Sequence, residues 1–497
     1  MSWSDAFDRL PPLLAQHILL SAAALALALL IALPAGVLAA RRPGFGRAIL
    51  GFSSFVQTIP GLALLALFFP ILLFVQRGGI PVSPLGFLPA LLALTLYALL
   101  PIVRNTALGI AGIGHSISEA ADAMGMTAGQ KLRLVEAPLA LPSVMAGIRT
   151  AAVWTIGAAT LSTTVGQPSL GDMIFSGLQT QNWVLVTTGC LAAAALALIV
   201  DGLLALAEAG SKHRRNWLTW GALAALVAVP LALLVAQGRE DKRITIGAKN
   251  FSEQFILARL IGHRLEAQGY KVAYREGLGS AVIFRALKTG EIQVYVDYAG
   301  TIWANEMRRK DTPPHAEMDR LIGAWAAAQG VTSLGSLGFE NAYALAMRPR
   351  PGTRTIADLD APGLTLGADL EFLDRPEWAA LKRAYGLDFK ATRAFAPTFM
   401  YDALKSGDAD VISAFSSDGR IAADGLAVLA DPKRALPGYD ALLLVKDTRL
   451  IPALEPLAGA IPVELMRRAN LMVDGEKQSP DAAAAWLEAQ LAAKARR

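Results

Sequence analysis

Long apolar runs fill the first half of the chain and are missing from the second. A helix that crosses a bilayer needs about 20 mostly apolar residues. Runs of that kind lie at Leu14–Ala40, Ile49–Val75, Phe87–Ile110, Leu139–Thr163, Val184–Ala207 and Trp217–Ala236, so six spans is the simplest count. Two runs are interrupted, the first at Pro34–Gly36 and the second at Pro60–Gly61. A membrane tolerates such breaks where protein or a water-filled path satisfies the backbone, so each either lines a route or kinks a helix.

Beyond the short polar segment Gly238–Arg243 the periodicity becomes that of an α/β domain. Ile244–Gly247 predicts a strand, Ser252–Gln268 an amphipathic helix stopped by Gly269, and Tyr270–Tyr274 a second strand. Ala281–Thr289 predicts a helix stopped by Gly290, and Ile292–Tyr295 a third strand, completing βαβαβ. Further strands are expected at Ala342–Met347, Leu364–Gly367, Val411–Ala414 and Ala441–Val445, alternating with helices at Trp378–Tyr385 and Thr398–Lys405. For about 250 residues, two α/β lobes fit better than one.

Charge orients the membrane half. Arg41, Arg42 and Arg47 follow the first run, Lys131 and Arg133 precede the fourth, and Lys212, Arg214 and Arg215 follow the fifth, which makes those loops cytoplasmic. Alternation then puts the N-terminus, the Gln76–Leu85 and Gly166–Asn182 loops, and everything after the sixth run outside. With 54% hydrophobic and 18% charged residues overall, the net charge of +5 reflects these Arg-rich loops rather than a nucleic-acid surface. The single cysteine, Cys190, excludes an intramolecular disulfide and a CxxC motif. His17, His115, His213, His263 and His315 are dispersed without metal-ligand spacing. No G-x-x-x-x-G-K-[ST] run occurs and no local motif forces a Ser-His-Asp set, so the chain is expected to hold no nucleotide and not to be an enzyme.

The loop before the fourth run carries Glu119-Ala120-Ala121, Gly125 and Val135-Glu136-Ala137-Pro138. Small residues allow close helix approach, glycine a tight turn, and an exposed glutamate can pair with a basic partner. This pattern resembles the EAA signature with which permeases of ABC importers dock on their ATPase. Leu141–Thr150 and Gly171–Phe175 are similar to the osmoprotectant (glycine betaine, carnitine, choline) permeases, while Ile246–Gln254, Tyr298–Thr301 and Phe415–Ile421 are similar to the matching binding proteins. Nearly the whole chain is covered.

The resemblance implies an all-α transmembrane permease domain of about six helices over residues 1–238. After it, over 239–497, comes an α/β two-lobed domain of the periplasmic-binding-protein kind, type II, on the periplasmic or extracellular side of the bacterial inner membrane. It also implies a separate ATPase subunit that holds ATP and Mg, a homodimer of this chain, and a small cationic or zwitterionic ligand. Tyr298, Tyr343, Phe415 and Tyr439 fall on the family's cage positions, with Lys249, Thr301 and Arg375 on its carboxylate side. Such a cage suits a quaternary ammonium, which cannot donate a hydrogen bond but is attracted to ring faces. Phe415 stands where the family often has tyrosine. The resemblance leaves open another betaine, such as ergothioneine, and a ligand-gated channel is a rival reading that the EAA-like loop opposes.

Overall fold

The computed structural model describes residues 3–80, 82–180, 182–213, 215–237, 243–309, 311, 313–433 and 435–495. Arg214 and residues 238–242, and with them the expected boundary between the domains, lie outside the described residues. Backbone proximity divides the chain into two compact units: Ser2–Ile174 with Leu185–Glu240, and Asp241–Arg497 with Phe175–Val184.

In the first unit, helices long and apolar enough to cross a membrane cover Arg9–Arg41, Phe87–Ala111, Ala128–Val165, Trp183–Lys212 and Asn216–Ala236, which makes 5 among the described residues. The expected second span is instead a pair, Pro43–Thr58 and Gly61–Gln76, bent by 104°, so a sixth span exists only if this pair counts as one. The bend sits at Ile59–Pro60, where a proline ring forces its predecessor out of the helical region and removes an N–H. Protein satisfies what is freed: Tyr97 Oη donates to the Ile59 carbonyl, and Leu64 N bonds the Pro60 carbonyl at 2.9 Å. The Pro34–Gly36 break behaves differently, since the helix Trp3–Arg41 runs through it unbroken. There Gly36 serves close packing, because a Cβ would lie 2.5 Å from Thr106 Cβ. Small residues do the same elsewhere: Ala24, Ala28, Ala32, Ala90, Ala93, Ala98 and Ala151 are all buried. Without water to drive helices together in lipid, such close backbone approach is what holds a bundle. Leu30, Phe74, Leu191, Leu198 and Trp217 face outward, as surface against hydrocarbon requires.

The second unit contains two 5-stranded sheets. In the first lobe, β1 (Ile244–Lys249), β2 (Val272–Leu278), β3 (Val294–Tyr298), β4 (Thr332–Glu340) and the late strand β10 (Asp440–Val445) are ordered β2-β1-β3-β10-β4. In the second, β5 (Tyr343–Met347), β6 (Thr365–Ala368), β7 (Ala391–Ala394), β8 (Val411–Phe415) and β9 (Ala427–Leu429) are ordered β7-β6-β8-β5-β9. Each sheet pairs β-α-β strands in parallel and admits antiparallel strands where the chain crosses between lobes. The crossings are Asn341–Ala342, between β4 and β5, and the stretch from Ala430 to Tyr439 before β10. Ile246, Val294, Leu443, Leu366 and Val411 are fully buried in this unit. Burial of such side chains contributes about 1.5–3 kcal/mol each. The expected βαβαβ start is present, with β2 and β3 each shifted a few residues toward the C-terminus. Strands β4, β7 and β9 and the helices His315–Ala328, Val463–Asp474 and Pro480–Ala495 were not expected.

Candidate functional site

Most side chains assigned to ligand contact in the sequence stand where a strand ends or where the chain changes lobe; Thr301 and Arg375 stand at helix ends. Lys249 closes β1, Tyr298 closes β3 and Thr301 ends the helical turn after it. Tyr343 opens β5, Arg375 lies between the helices Leu370–Asp374 and Pro376–Tyr385, Phe415 closes β8, and Tyr439 precedes β10. In α/β sheets these ends converge on a crevice. Here they line one cavity of about 400 Å³, together with Phe251, Ser280, Asn341, Asp369, Glu371 and Phe395.

One wall is aromatic. Phe251 stacks on Phe415 with centroids 6.1 Å apart and planes at 6°, and on Tyr298 at 6.0 Å. Tyr343 lies 4.9 Å from Phe415 and meets Tyr439 edge-on at 5.5 Å. The hydroxyl of Tyr298 turns away from the cavity, donating to Glu253 Oε1 at 2.6 Å and accepting from Gln254 Nε2 at 2.9 Å, so that its ring is what remains to offer. Tyr439 lies flat against Gly300, where a Cβ would come within 2.6 Å of the ring; this is the physical need behind the glycine of Tyr298-Ala299-Gly300-Thr301. Burial pushes the hydroxyls of Tyr298, Tyr343 and Tyr439 well above the ordinary tyrosine range, keeping the rings neutral.

The other wall is charged and already paired. Lys249 Nζ donates to Asp297 Oδ1 in a buried ion pair. Asp297 in turn accepts from Tyr295 Oη at 2.6 Å and Tyr298 N at 2.8 Å. Arg375 Nη2 donates to Glu371 Oε1 at 2.5 Å and to Thr301 Oγ1 at 3.5 Å, while Nη1 reaches Tyr439 Oη at 3.4 Å and Glu377 Oε1 at 3.5 Å. Glu377 also accepts from the Tyr439 hydroxyl. Burial opposes ionisation of Glu371, but the Arg375 charge and hydrogen bond outweigh it and hold its carboxyl below the usual range. Behind the aromatic wall, Glu253 accepts from Tyr298, Asn341 and Asn470, and burial pushes its carboxyl up despite those bonds.

Phe251, Asp369 and Glu371 were not singled out from sequence. Phe251 lies within the Ile246–Gln254 stretch, and the four-residue spacing of Glu371 and Arg375 is a readable helical pair.

The loop before the fourth run is a separate element. Glu119 is exposed on the helix His115–Ala123, Ala120 is exposed and Ala121 buried. Gly125 has φ +72°, the left-handed cap that ends this helix, with Met126 N bonding the Ala121 carbonyl at 3.2 Å. Thr127 and Gln130 form a capping box that starts the next helix. A π-helical turn at Leu132–Glu136 then leads into Ala137–Ala159, absorbing Pro138, which has no N–H to give. Arg41 pairs with Glu136 at 2.6 Å and Lys131 with Asp122 at 2.7 Å.

Residues 242–489 match the family described as the substrate binding domain of ABC-type glycine betaine transport system. Residues 32–213 match the binding-protein-dependent transport system inner membrane component. The chain is similar to the ergothioneine transport permease/ergothioneine binding protein of Helicobacter pylori (strain G27), 29% identical over 86% of this chain and 80% of that protein. It is also similar to the glycine betaine/carnitine/choline transport system permease protein of Bacillus subtilis (strain 168), 40% identical over 39% of this chain and 84% of that one. A solved structure described as that of a glycine betaine/carnitine/choline ABC transporter is similar at 26% identity and TM-score 0.45, covering 50% of this chain and 98% of its own.

Proposed function

Because the chain belongs to the family of osmoprotectant ABC importer permeases and carries a substrate-binding domain for betaine-type solutes on the same polypeptide, we propose that it captures a trimethylammonium compound and delivers it to its own membrane domain. Membership implies an ATPase partner and a multi-pass place in the inner membrane. The observation that carries the solute reading is the convergence of Phe251, Tyr298, Tyr343, Phe415 and Tyr439 with Arg375 on one cavity. Ring faces attract a cation that offers no N–H, and a guanidinium fork suits a carboxylate.

Glycine betaine, choline and carnitine are the proposed solutes. Ergothioneine is the second reading, favoured by the relative of that name, whose similarity runs through both halves of this chain. In the proposed assembly two copies of the chain pair on two ATPase copies, which hold ATP and Mg. Lys131, Arg133 and Lys212 then face the cytoplasm and the capture domain faces the opposite side, where a short tether raises its local concentration at the pore mouth. Glu119, Ala120, Ala121, Gly125 and Pro138 form the proposed contact with the ATPase.

Calorimetry of the full chain in lipid nanodiscs tests the solute reading. At least one of glycine betaine, choline, carnitine and ergothioneine should bind about 100-fold more tightly than its unmethylated analogue, a gap of about 2.7 kcal/mol. Equal binding of glycine and glycine betaine, or of 2-thiohistidine and ergothioneine, would remove the cage. In vesicles with the ATPase, Glu119→Lys and Gly125→Val should abolish uptake while solute binding persists; retained uptake would acquit the loop.

A further inference from the structure

The guanidinium of Arg375 has carboxylates on two sides, and they differ in freedom. Glu377 is 3% exposed and bonded to the Tyr439 hydroxyl, whereas Glu371 is 52% exposed and held by Arg375 Nη2 at 2.5 Å and by the Ser280 hydroxyl. Arg375 itself is 5% exposed and cannot swing out. The backbone under Glu371 is fixed, since Asp369 caps this short helix by accepting from Phe372 N at 2.8 Å. Only the Glu371 side chain is therefore free to leave. In the cavity lining Asp369 and Glu371 match Lys249 and Arg375 in number, and the buried partners Asp297 and Glu377 add two more carboxylates behind them. An entering carboxylate would be the third on one guanidinium, and like charges at that range repel.

We infer that Glu371 is an internal stand-in for the solute's carboxylate: a zwitterion reaches Arg375 by displacing Glu371 into solvent, whereas a cation without a carboxylate leaves the pair intact. Glu371 thereby sets the preference between the two kinds of solute. The inference rests on the betaine-type reading above. It differs from a simple carboxylate clamp, because it makes the resident acid a competitor whose removal improves binding of one class of solute.

The test uses the full chain in nanodiscs, with glycine betaine and choline titrated into wild type, Glu371→Gln and Glu371→Asp at one pH and salt concentration. Glu371→Gln removes the competing charge and should tighten glycine betaine about tenfold, the worth of one charged hydrogen bond, while choline tightens less or weakens. Glu371→Asp keeps the charge on a shorter arm and should fall between the two. Melting curves without solute establish that the variants are folded. Weaker glycine betaine binding in Glu371→Gln, or an equal shift for both solutes, overturns the inference. A wild-type chain that binds neither solute, nor carnitine or ergothioneine, overturns the betaine-type reading instead, and the inference with it.

Discussion

The two walls of the cavity are prepared for binding in opposite ways. On the aromatic wall, Phe251, Tyr298, Tyr343, Phe415 and Tyr439 are held by one another, by the Tyr298 hydroxyl bond to Glu253 directed away from the cavity, and by the Tyr439 hydroxyl bond to Glu377, so nothing has to leave before a trimethylammonium group enters. On the charged wall, Lys249 belongs to Asp297 and Arg375 to Glu371 and Glu377, so a carboxylate meets cations that already have partners. Headgroup recognition is thus preorganised, and recognition at the other end is a competition. Affinity lost on the first wall should be common to every trimethylammonium solute, while changes on the second should separate zwitterions from plain cations.

The largest effect is expected from Arg375→Ala, which strands buried Glu377. Breaking a buried pair by removing one partner costs about 3–5 kcal/mol, so the domain should melt markedly lower. At a temperature where the variant is folded, glycine betaine should lose far more affinity than choline, which has no carboxylate to pair. Equal losses for the two solutes would erase the distinction between the walls.

Next in size is Tyr343→Ala, which removes a ring from contact with Phe415, Phe372 and Tyr439 and opens a void. A cation–π contact is worth about 0.5–2 kcal/mol, so both glycine betaine and choline should weaken by about tenfold. Phe415→Tyr keeps the face and should stay within about threefold, under 1 kcal/mol. Calorimetry that found glycine betaine alone weakened by Tyr343→Ala would place this ring on the carboxylate side.

What was readable in the sequence follows the physics of burial. Strands β1, β3, β5, β6, β8 and β10 are short apolar runs because the sheets bury them. Strand β4 hid behind Gly335 and Gly338, which take φ +89° and +105° and shift its register against β10. Strand β7 is an edge with mostly exposed residues, and β9 is only 3 residues long; neither carries a hydrophobic period. The bent pair at Ile59–Pro60 read as one span because hydropathy is blind to direction, though Pro60–Gly61 marked the place. In the site, rings and cations were found because the family resemblance marks their positions; by themselves the tyrosines read as core residues and Lys249 and Arg375 as solvated charges. Glu371 and Asp369 were missed because no ligand group asks for a carboxylate there; only the pairing with Arg375 gives Glu371 a role.

The smallest effect concerns the support behind the aromatic wall, where stability should respond to pH and affinity should not. Asp474 is half-buried beside Arg420, accepts from Ser252 Oγ at 2.5 Å, and is pushed up to about 6, chiefly by desolvation. A carboxyl whose folded value lies above its unfolded one, 3.8, favours the folded state when protonated. That stability is fully present below about pH 4 and is lost as pH rises through about 6. Asp474→Asn is neutral at every pH, so its melting temperature should gain on wild type between pH 4 and pH 7. The gain should be about 2–4 °C for each 1 kcal/mol in a domain of this size, the attraction to Arg420 being already contained in the raised value. Because Asp474 does not line the cavity, glycine betaine affinity at pH 7 should stay within about twofold, below 0.5 kcal/mol. A melting difference that stayed flat across this range would mean that Arg420 holds Asp474 ionised throughout, and a marked loss of affinity would mean that the aromatic wall depends on this acid for its shape.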